Sequence, residues 1–496
     1  MRSGCGPPCG SRRVMRRTMR GASADLAIVG GGPAGLAAAI EAAGSGLSVA
    51  LIDERATLGG QIFKQPGPGF RVTDPRAVGR DFVRGRALIE GAERSGADVL
   101  LRTAVVAIRG TSLVLVEDGR EASALEARHV ILAPGAHDRP VVFSGWTLPG
   151  VVTAGGAQTL VKTQHVLPGE QIVFAGSGPV ALAFPAQLRN LGANVRVVLE
   201  AGPPPGPKDV LRLVRAAHGN EALLRDAAAY RLSLLRRRVH IRHRRIVVRA
   251  EGDGRIEEVV HAAADRDWCP LPGTEERIAA DCLCLGYGFF PSVELLRLAG
   301  CDFTYDEDLG GPVAVRDEWL RTTVPGVSAA GDGTGITGSY VAIDEGKLAA
   351  LGALVALEAI TPETASARAD AVRRRLATKE AFRRALVPLH PVGRGIYELA
   401  TPETIVCRCE GRTLGELDAA LSTTGDPNLV KSLTRVGMGL CQGRSCQRQI
   451  AAMLARRHGV GIGDVPVSTP RPPIRPVPLG AVADASVEDL RFFTPD

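Results

Sequence analysis

Apolar residues in this chain fall into short unbroken runs, and glycine-rich turns follow several of them. Leu26-Ala-Ile-Val29 reads as a parallel strand buried on both faces. Gly30-Gly-Gly-Pro-Ala-Gly35 comes next, then a helical stretch to about Ala43 and a second apolar run from Leu47 to Ile52 that ends at Asp53. This is G-x-G-x-x-G inside a β-α-β unit, with an acid 18 residues after the last glycine. Gly30 suits the tight turn, Gly32 lets backbone approach a pyrophosphate, and Gly35 lets helix and strand pack closely. Pro33 and Ala34 open the helix, whose N-terminal N–H groups face the phosphates. Asp53 is the candidate for the adenosine ribose hydroxyls, with Glu54 as its substitute.

A second unit of the same kind begins at Ile172-Val-Phe-Ala175. Its loop is Gly176-Ser-Gly-Pro-Val-Ala181, and its second strand runs from Asn194 to Leu199 and ends at Glu200. Gly176, Gly178 and Glu200 are the candidate nucleotide contacts. Pro185 falls inside the expected helix, where it removes a hydrogen bond. Glu200 suits a free 2′-hydroxyl and repels a 2′-phosphate, so a second adenine nucleotide here would not be NADP. Two further strands run into turns: Val130-Ile-Leu-Ala-Pro-Gly-Ala136, and Val327-Ser-Ala-Ala-Gly-Asp332, the latter followed by a helical stretch from Tyr340 to about Leu357. Runs at Val239–Arg249 and Ala279–Leu285 read as strands, and Ala367–Ala385 as a charged helix.

Composition narrows the class. With 45% hydrophobic and 23% charged residues over 496 positions, a large core and several domains are expected. The net charge of +7 is carried by arginine, and much of it lies in residues 1–22. No basic helix with interleaved aromatics points to nucleic acid. The first 23 residues read as a basic extension, in which Met15 or Met19 could serve as the start and Cys5 and Cys9 have no partner. An export signal or anchor is disfavoured, because the apolar stretch from Leu26 to Ile52 holds six glycines, Pro33 and Glu41. No transmembrane span of 18 or more apolar residues stands elsewhere.

Gly59-Gly60-Gln61 after the first loop, the A-x-G-A turn at Ala133–Ala136, the second glycine loop and Ala330-Gly331-Asp332 together resemble the two-dinucleotide-domain flavoproteins. The resemblance implies FAD in the first site, held by Gly30, Gly32, Pro33, Ala34, Gly35, Asp53, Glu54, Ala133, Gly135, Gly331 and Asp332. It places Asp332 on the ribityl chain and Gly60 and Gln61 beside the flavin; Lys64 and Gln65 follow that loop and are weaker candidates for the ring. The fold class expected is α/β. Residues 24–150 and 275–360 would form an FAD domain, 151–274 an inserted second dinucleotide domain and 361–400 a helical linker. Unlike the disulfide reductases of this group, the chain has no cysteine pair after Gly59-Gly60. Cys269, Cys282, Cys284 and Cys301 are read as buried small hydrophobes; His137 follows the A-x-G-A turn and is either a neighbour of the flavin or, by preference, a core or surface histidine, and His240 and His243 receive no role.

The C-terminal cysteines carry a separate signal. Cys407-Arg-Cys409 and Cys441-Gln-Gly-Arg-Ser-Cys446 make two close pairs with 31 residues between them. Four thiolates suit zinc or an iron–sulfur cluster, but zinc ribbons prefer C-x2-C. The flanking V-C-R-C-E-G and V-G-M-G-L-C-Q-G-R-S-C-Q resemble the bacterioferritin-associated-ferredoxin type of [2Fe-2S] domain, which would cover 401–460 with a proline-rich tail at 461–496. Arg408, Lys431, Arg435 and Arg444 would offset the cluster's negative charge. Over roughly 24–480 the chain is similar to the α subunits of heteromeric FAD/[2Fe-2S] amino-acid dehydrogenases. The group takes in the corresponding chains of the opine oxidases and hydrogen cyanide synthases and the hydroxyproline and proline dehydrogenase α subunits, and Gly145-Trp-Thr-Leu-Pro-Gly150 fits the same group. The resemblance implies a β subunit with its own FAD that oxidises a C–N bond of an amino acid or opine. It further implies FMN at a subunit interface, in some members a small ferredoxin-like subunit, a quinone-type acceptor and a cytoplasmic, membrane-peripheral location. The second glycine loop leaves open a self-sufficient NADH:acceptor reductase. A scaffold with vestigial nucleotide sites is the non-enzyme alternative.

Overall fold

A computed structural model describes residues 22–483, apart from 68, 71 and 76–78. The N-terminal residues 1–21, with Cys5, Cys9, Met15 and Met19, lie outside the described residues, as does the tail from 484. The first strand starts at Ala22 rather than Leu26 and so takes in the last two residues assigned to the basic extension.

The first sheet contains β1 (Ala22–Val29), β2 (Val49–Ile52), β3 (Asp98–Leu100), β4 (Thr103–Arg109), β5 (Ser112–Glu117) and β6 (Glu121–Leu132), in the order β3-β2-β1-β6-β5-β4. β6 is long enough to serve two neighbours on one edge. Its first half pairs antiparallel with β5, and its last three residues pair parallel with the strand Val327–Ala329. Register then fixes the site. Val29 stands opposite Ile52 and Leu132, and Leu132 opposite Ala329, so Gly30, Asp53, Ala133 and Ala330 leave the sheet side by side. Helices cross from β1 in one direction and meanders in the other, which makes the C-terminal end of β1 a topological switch point.

The helix Pro33–Ala42 (α1) packs on the long helix Ser339–Ala356 through glycine. A Cβ on Gly346 would stand 2.0 Å from the carbonyl oxygen of Ala34, and one on Gly35 would stand 1.8 Å from that of Gly30. The helix Ser339–Ala356 buries Ala342, Leu348, Leu351 and Leu354, and its buried Asp344 accepts ion pairs from Arg375 and Lys379 of the helix Pro362–Leu386. That last helix is longer at its N-terminal end than the charged stretch suggested, because Thr361 caps it by accepting the Thr364 N–H at 3.3 Å.

The second sheet is parallel, in the order His240–His243, Asn194–Glu200, Gln171–Gly176, Cys282–Gly286, Val151–Thr153. Cys282–Gly286 therefore sits between Gln171–Gly176 and Val151–Thr153, past the boundary drawn at residue 274. The chain returns to the first unit at Phe289–Pro291, which pairs with Ala136–Asp138. Each of the two long strands read from the sequence is two strands. Arg244, at φ +55°, separates His240–His243 from Arg245–Glu251, and a turn separates Glu276–Ala279 from Cys282–Gly286. The members of each pair join different sheets, which an apolar run does not reveal. The helix Val180–Asn190 runs through Pro185 and buries it. Cys282, Cys284 and Cys301 are buried as expected, whereas Cys269 is partly exposed.

A hairpin of Ile405–Cys407 with Arg412–Thr413 and the helices Leu414–Thr423, Pro427–Thr434 and Gln447–His458 follow. Their apolar faces join one core with the second unit: Val406, Leu417, Ile450 and Leu454 pack with Phe143, Trp146 and Trp268. Trp146 Nε1 donates to the carbonyl of Ile405 at 2.5 Å. The described part of the proline-rich tail packs back on the first unit. Ile474 is buried, and its N–H donates to Val106 O at 2.9 Å.

Gly346→Ala should cost about 2–3 kcal/mol or more, because backbone on both sides leaves a methyl nowhere to go. Chemical denaturation of the full chain would measure it, and an unchanged midpoint would contradict the close helix contact.

Candidate nucleotide cavity and cysteine centre

The switch point opens into a cavity of about 520 Å³. Gly30, Gly32, Pro33, Ala34, Asp53, Glu54, Gly60, Gln61, Ala133, Gly135, Gly331 and Asp332 all line it. Gly35 does not, since it serves the packing of α1. Three backbone turns meet at the cavity only because they are glycine. A Cβ on Gly30 (φ +108°) would lie 2.2 Å from Ala133 O, and one on Gly60 (φ +61°) would lie 2.7 Å from Gly32 Cα. A cradle that excludes side chains in this way fits a dinucleotide's pyrophosphate.

The acids are built into the cradle. Asp53 is buried; Oδ2 accepts the Gly31 N–H at 2.6 Å and Oδ1 the Arg55 N–H at 2.8 Å. Burial raises its pKa. Glu54 is paired with Arg475 of the tail at 2.9 Å. Asp332 Oδ1 accepts the N–H groups of Thr337 and Gly338 at 3.0 and 2.8 Å, which holds the turn before the helix Ser339–Ala356. Lys64 does not line the cavity. It stands behind the wall, bonded to Thr159 Oγ1 and within 3.4 Å of Gly155 O, and burial lowers its pKa to about 7. Gln65 turns back on Phe63 O. His137, for which the sequence preferred a core or surface place over one near the flavin, is on the wall, with Nδ1 3.2 Å from Ser292 Oγ.

The four C-terminal cysteines come together as two pairs. Cys407 is hydrogen-bonded to Cys446, and Cys409 to Cys441. The Cys446 thiol and the N–H groups of Gly437, Glu410 and Cys409 stabilise the Cys407 thiolate and lower its pKa to about 5. Among the described residues, no three His, Cys, Asp or Glu side chains are gathered closely enough to hold a single metal ion. Cys446 also lies within electrostatic reach of Cys409 and Cys441, so the four thiols form one donor set of a kind that suits zinc or an iron–sulfur cluster.

The cavity and the cysteine loop touch. Arg444, between Cys441 and Cys446, lines the cavity and pairs with Glu294 at 3.1 Å. Arg435 pairs instead with Glu410 at 3.0 Å. Sequence reading missed Glu294, Ser292 and Arg475 as wall residues, and placed Arg444 only at the cysteines. No local motif marks such contacts, which join segments more than 100 residues apart.

The second glycine loop is different. A Cβ on Gly178 would lie 3.9 Å from the His390 ring, and one on Gly202 would lie 3.5 Å from Leu389 O. His390 thus stands beside Gly178 of the loop, and Leu389 beside Gly202 after the second strand. Gly176 is pressed against Gly286, with a Cβ there 2.2 Å from its carbonyl oxygen. Glu200 is buried and accepts the Gly202 N–H at 3.1 Å, and burial pushes its carboxyl up to about 7.

Residues 24–346 match the profile described as pyridine nucleotide-disulphide oxidoreductase. The chain belongs to that family. Its family is FAD-dependent, and the cavity supplies the cradle FAD needs. Residues 419–485 match the sarcosine oxidase A3 domain. Within the family, the chain is 34% identical over 474 residues to the HcnB subunit of hydrogen cyanide synthase from Pseudomonas aeruginosa, covering 93% of this chain and 98% of that one. It is 34% identical over 465 residues to one subunit of the opine oxidase of Rhizobium meliloti, again covering 93% and 98%. The crystal structure of L-proline dehydrogenase from P. horikoshii shares the fold, with TM-score 0.66 and 22% identity over 93% of this chain and 79% of that chain. These relatives bear out the resemblance read from the motifs, and the chain is a flavin oxidoreductase. No described helix is long and apolar enough to cross a membrane.

Glu200 gives a pH test. Its folded pKa of about 7 lies above its ordinary 4.5, so its favourable contribution is complete below pH 4.5 and is lost as pH rises through 7. Glu200→Gln should therefore raise stability at pH 8, by up to about 3 kcal/mol, and change it little at pH 4.5. Thermal melts at the two pH values measure the difference.

Proposed function

We infer that this chain is the electron-relaying subunit of a heteromeric amino-acid or opine dehydrogenase. A β subunit with its own FAD oxidises the C–N bond, and this chain passes the electrons to a quinone-type acceptor. The observation that carries the reading is the meeting of a dinucleotide cavity with a loop of paired thiols across Arg444. FAD would be held by the loop Gly30–Gly35, by Asp53 at the ribose and by Asp332 at the ribityl chain. A [2Fe-2S] cluster would be held by Cys407, Cys409, Cys441 and Cys446. Flavin accepts electrons in pairs and a [2Fe-2S] cluster accepts one, so the two together split paired electrons into single steps.

The chain's own residues set the conditions for this. Gly30, Gly32 and Gly60 remove side chains from the phosphate path. Lys64 braces the Gly155–Thr159 wall through Thr159. Arg444 and Arg448, the latter buried against Tyr397 and paired with Glu307 at 2.7 Å, place positive charge beside the cysteine domain. The relatives are named as subunits, which supports a partner chain. FMN at the interface between subunits, a small ferredoxin-like subunit and a cytoplasmic, membrane-peripheral location complete the reading.

The self-sufficient NADH reductase is disfavoured by the His390 ring standing against Gly178 of the second loop, where a phosphate would have to approach. Anaerobically purified chain reduced with dithionite should show a rhombic [2Fe-2S] paramagnetic signal. Zinc without iron would overturn the reading. NADH should leave the flavin oxidised, and rapid bleaching would favour the NADH reductase.

A further inference from the structure

The loop that carries two of the thiols also supplies part of the nucleotide cavity's wall. Arg444 Nη1 donates to the carbonyl of Cys441 at 3.2 Å, and Nε faces Glu294 Oε1 at 3.1 Å. Both side chains of the pair are largely buried, at 17% and 16% exposure. Glu294 opens the short helix Glu294–Leu298, two residues after Ser292. The Ser292 N–H donates to Gly135 O at 2.9 Å, and its hydroxyl meets His137 Nδ1 at 3.2 Å. Gly135, His137, Ser292, Glu294 and Arg444 all line the cavity. Polar contacts therefore run from a cluster-ligand backbone to Glu294, the covalent backbone carries on to Ser292, and polar contacts resume from there to the A-x-G-A turn.

We propose that Arg444 is a positioning residue that couples the two sites, so that loading the Cys441–Cys446 loop tightens FAD in the cavity and FAD favours the loaded loop.

The physical reason is the buried ion pair. Separating Arg444 from Glu294 would leave two charges without partners in a low-dielectric wall, so loop and wall move together or not at all. Metal on Cys441 and Cys446 pins the loop on both sides of Arg444, three residues before it and two after. Without that pinning the loop samples more conformations, and the Glu294 wall loses its fixed partner. FAD bound against that wall then meets a less ordered site. Coupling between two binding events is reciprocal, so the same contact must act in both directions.

This inference rests on the flavin and [2Fe-2S] reading above. The test follows FAD release from the full chain by recovery of flavin fluorescence after dilution. Cluster-loaded protein is compared with protein stripped by ferricyanide and EDTA. Wild type should release FAD roughly five- to tenfold faster once stripped. In Arg444→Gln and in Glu294→Gln that ratio should fall to about one, and Arg444→Lys should recover part of it. A merely structural role would speed release equally in both loading states and leave the ratio unchanged. A ratio of one in wild type, or an equal ratio in wild type and Arg444→Gln, overturns the coupling. The wild-type ratio needs no variant, so a variant that fails to fold leaves the proposal exposed. A chain that holds FAD and a cluster with independent release rates sinks this inference alone. A chain that takes up neither sinks the proposed function and this with it.

Discussion

The fold depends on backbone coming closer to backbone than side chains permit. At the C-terminal end of β1, Gly30 meets Ala133, Gly35 meets Gly30, Gly60 meets Gly32, and Gly346 meets Ala34. Each contact brings a different segment of the first unit to the same small region of space. A methyl group at any of them would push two elements apart and open the cradle. The cavity is thus a product of deletion: side chains are missing where phosphates would lie, and strand register decides where that emptiness falls.

A second constraint concerns the C-terminal domain. It does not hang from a linker. Its helices share a core with Phe143, Trp146 and Trp268, and Trp146 reaches across to the carbonyl of Ile405. Fixing the domain against the second unit brings the Cys441–Cys446 loop over the cavity of the first. The chain beyond it then returns to β4, where Ile474 and Arg475 close the far rim. Three segments distant in sequence enclose one site.

Much of this was legible beforehand. The first glycine loop, Asp53, the A-x-G-A turn and Gly331-Asp332 all line the cavity, because local backbone demands write themselves into residue choice. The paired cysteines were equally plain. Strand membership was not. Val239–Arg249 and Ala279–Leu285 look like single strands, and only pairing shows that each splits between two sheets. Glu54 read as the substitute for Asp53 at the ribose but is paired with Arg475, a residue more than 400 positions away. The Glu200 carboxyl read as an open ligand but is folded inward beneath Gly202.

The amino-acid sequence by itself determined the two β-α-β units, the places where glycine is compulsory and the set of four thiols, since each depends on steric and chemical demands met within a few neighbouring residues. Only the tertiary structure decided that the thiols meet as two pairs, that Arg444 faces a nucleotide cavity and that His390 stands against Gly178 of the second loop. Those outcomes depend on how separate cores settle against one another. The energy of that settling is spread over many apolar contacts, none of which carries a local mark.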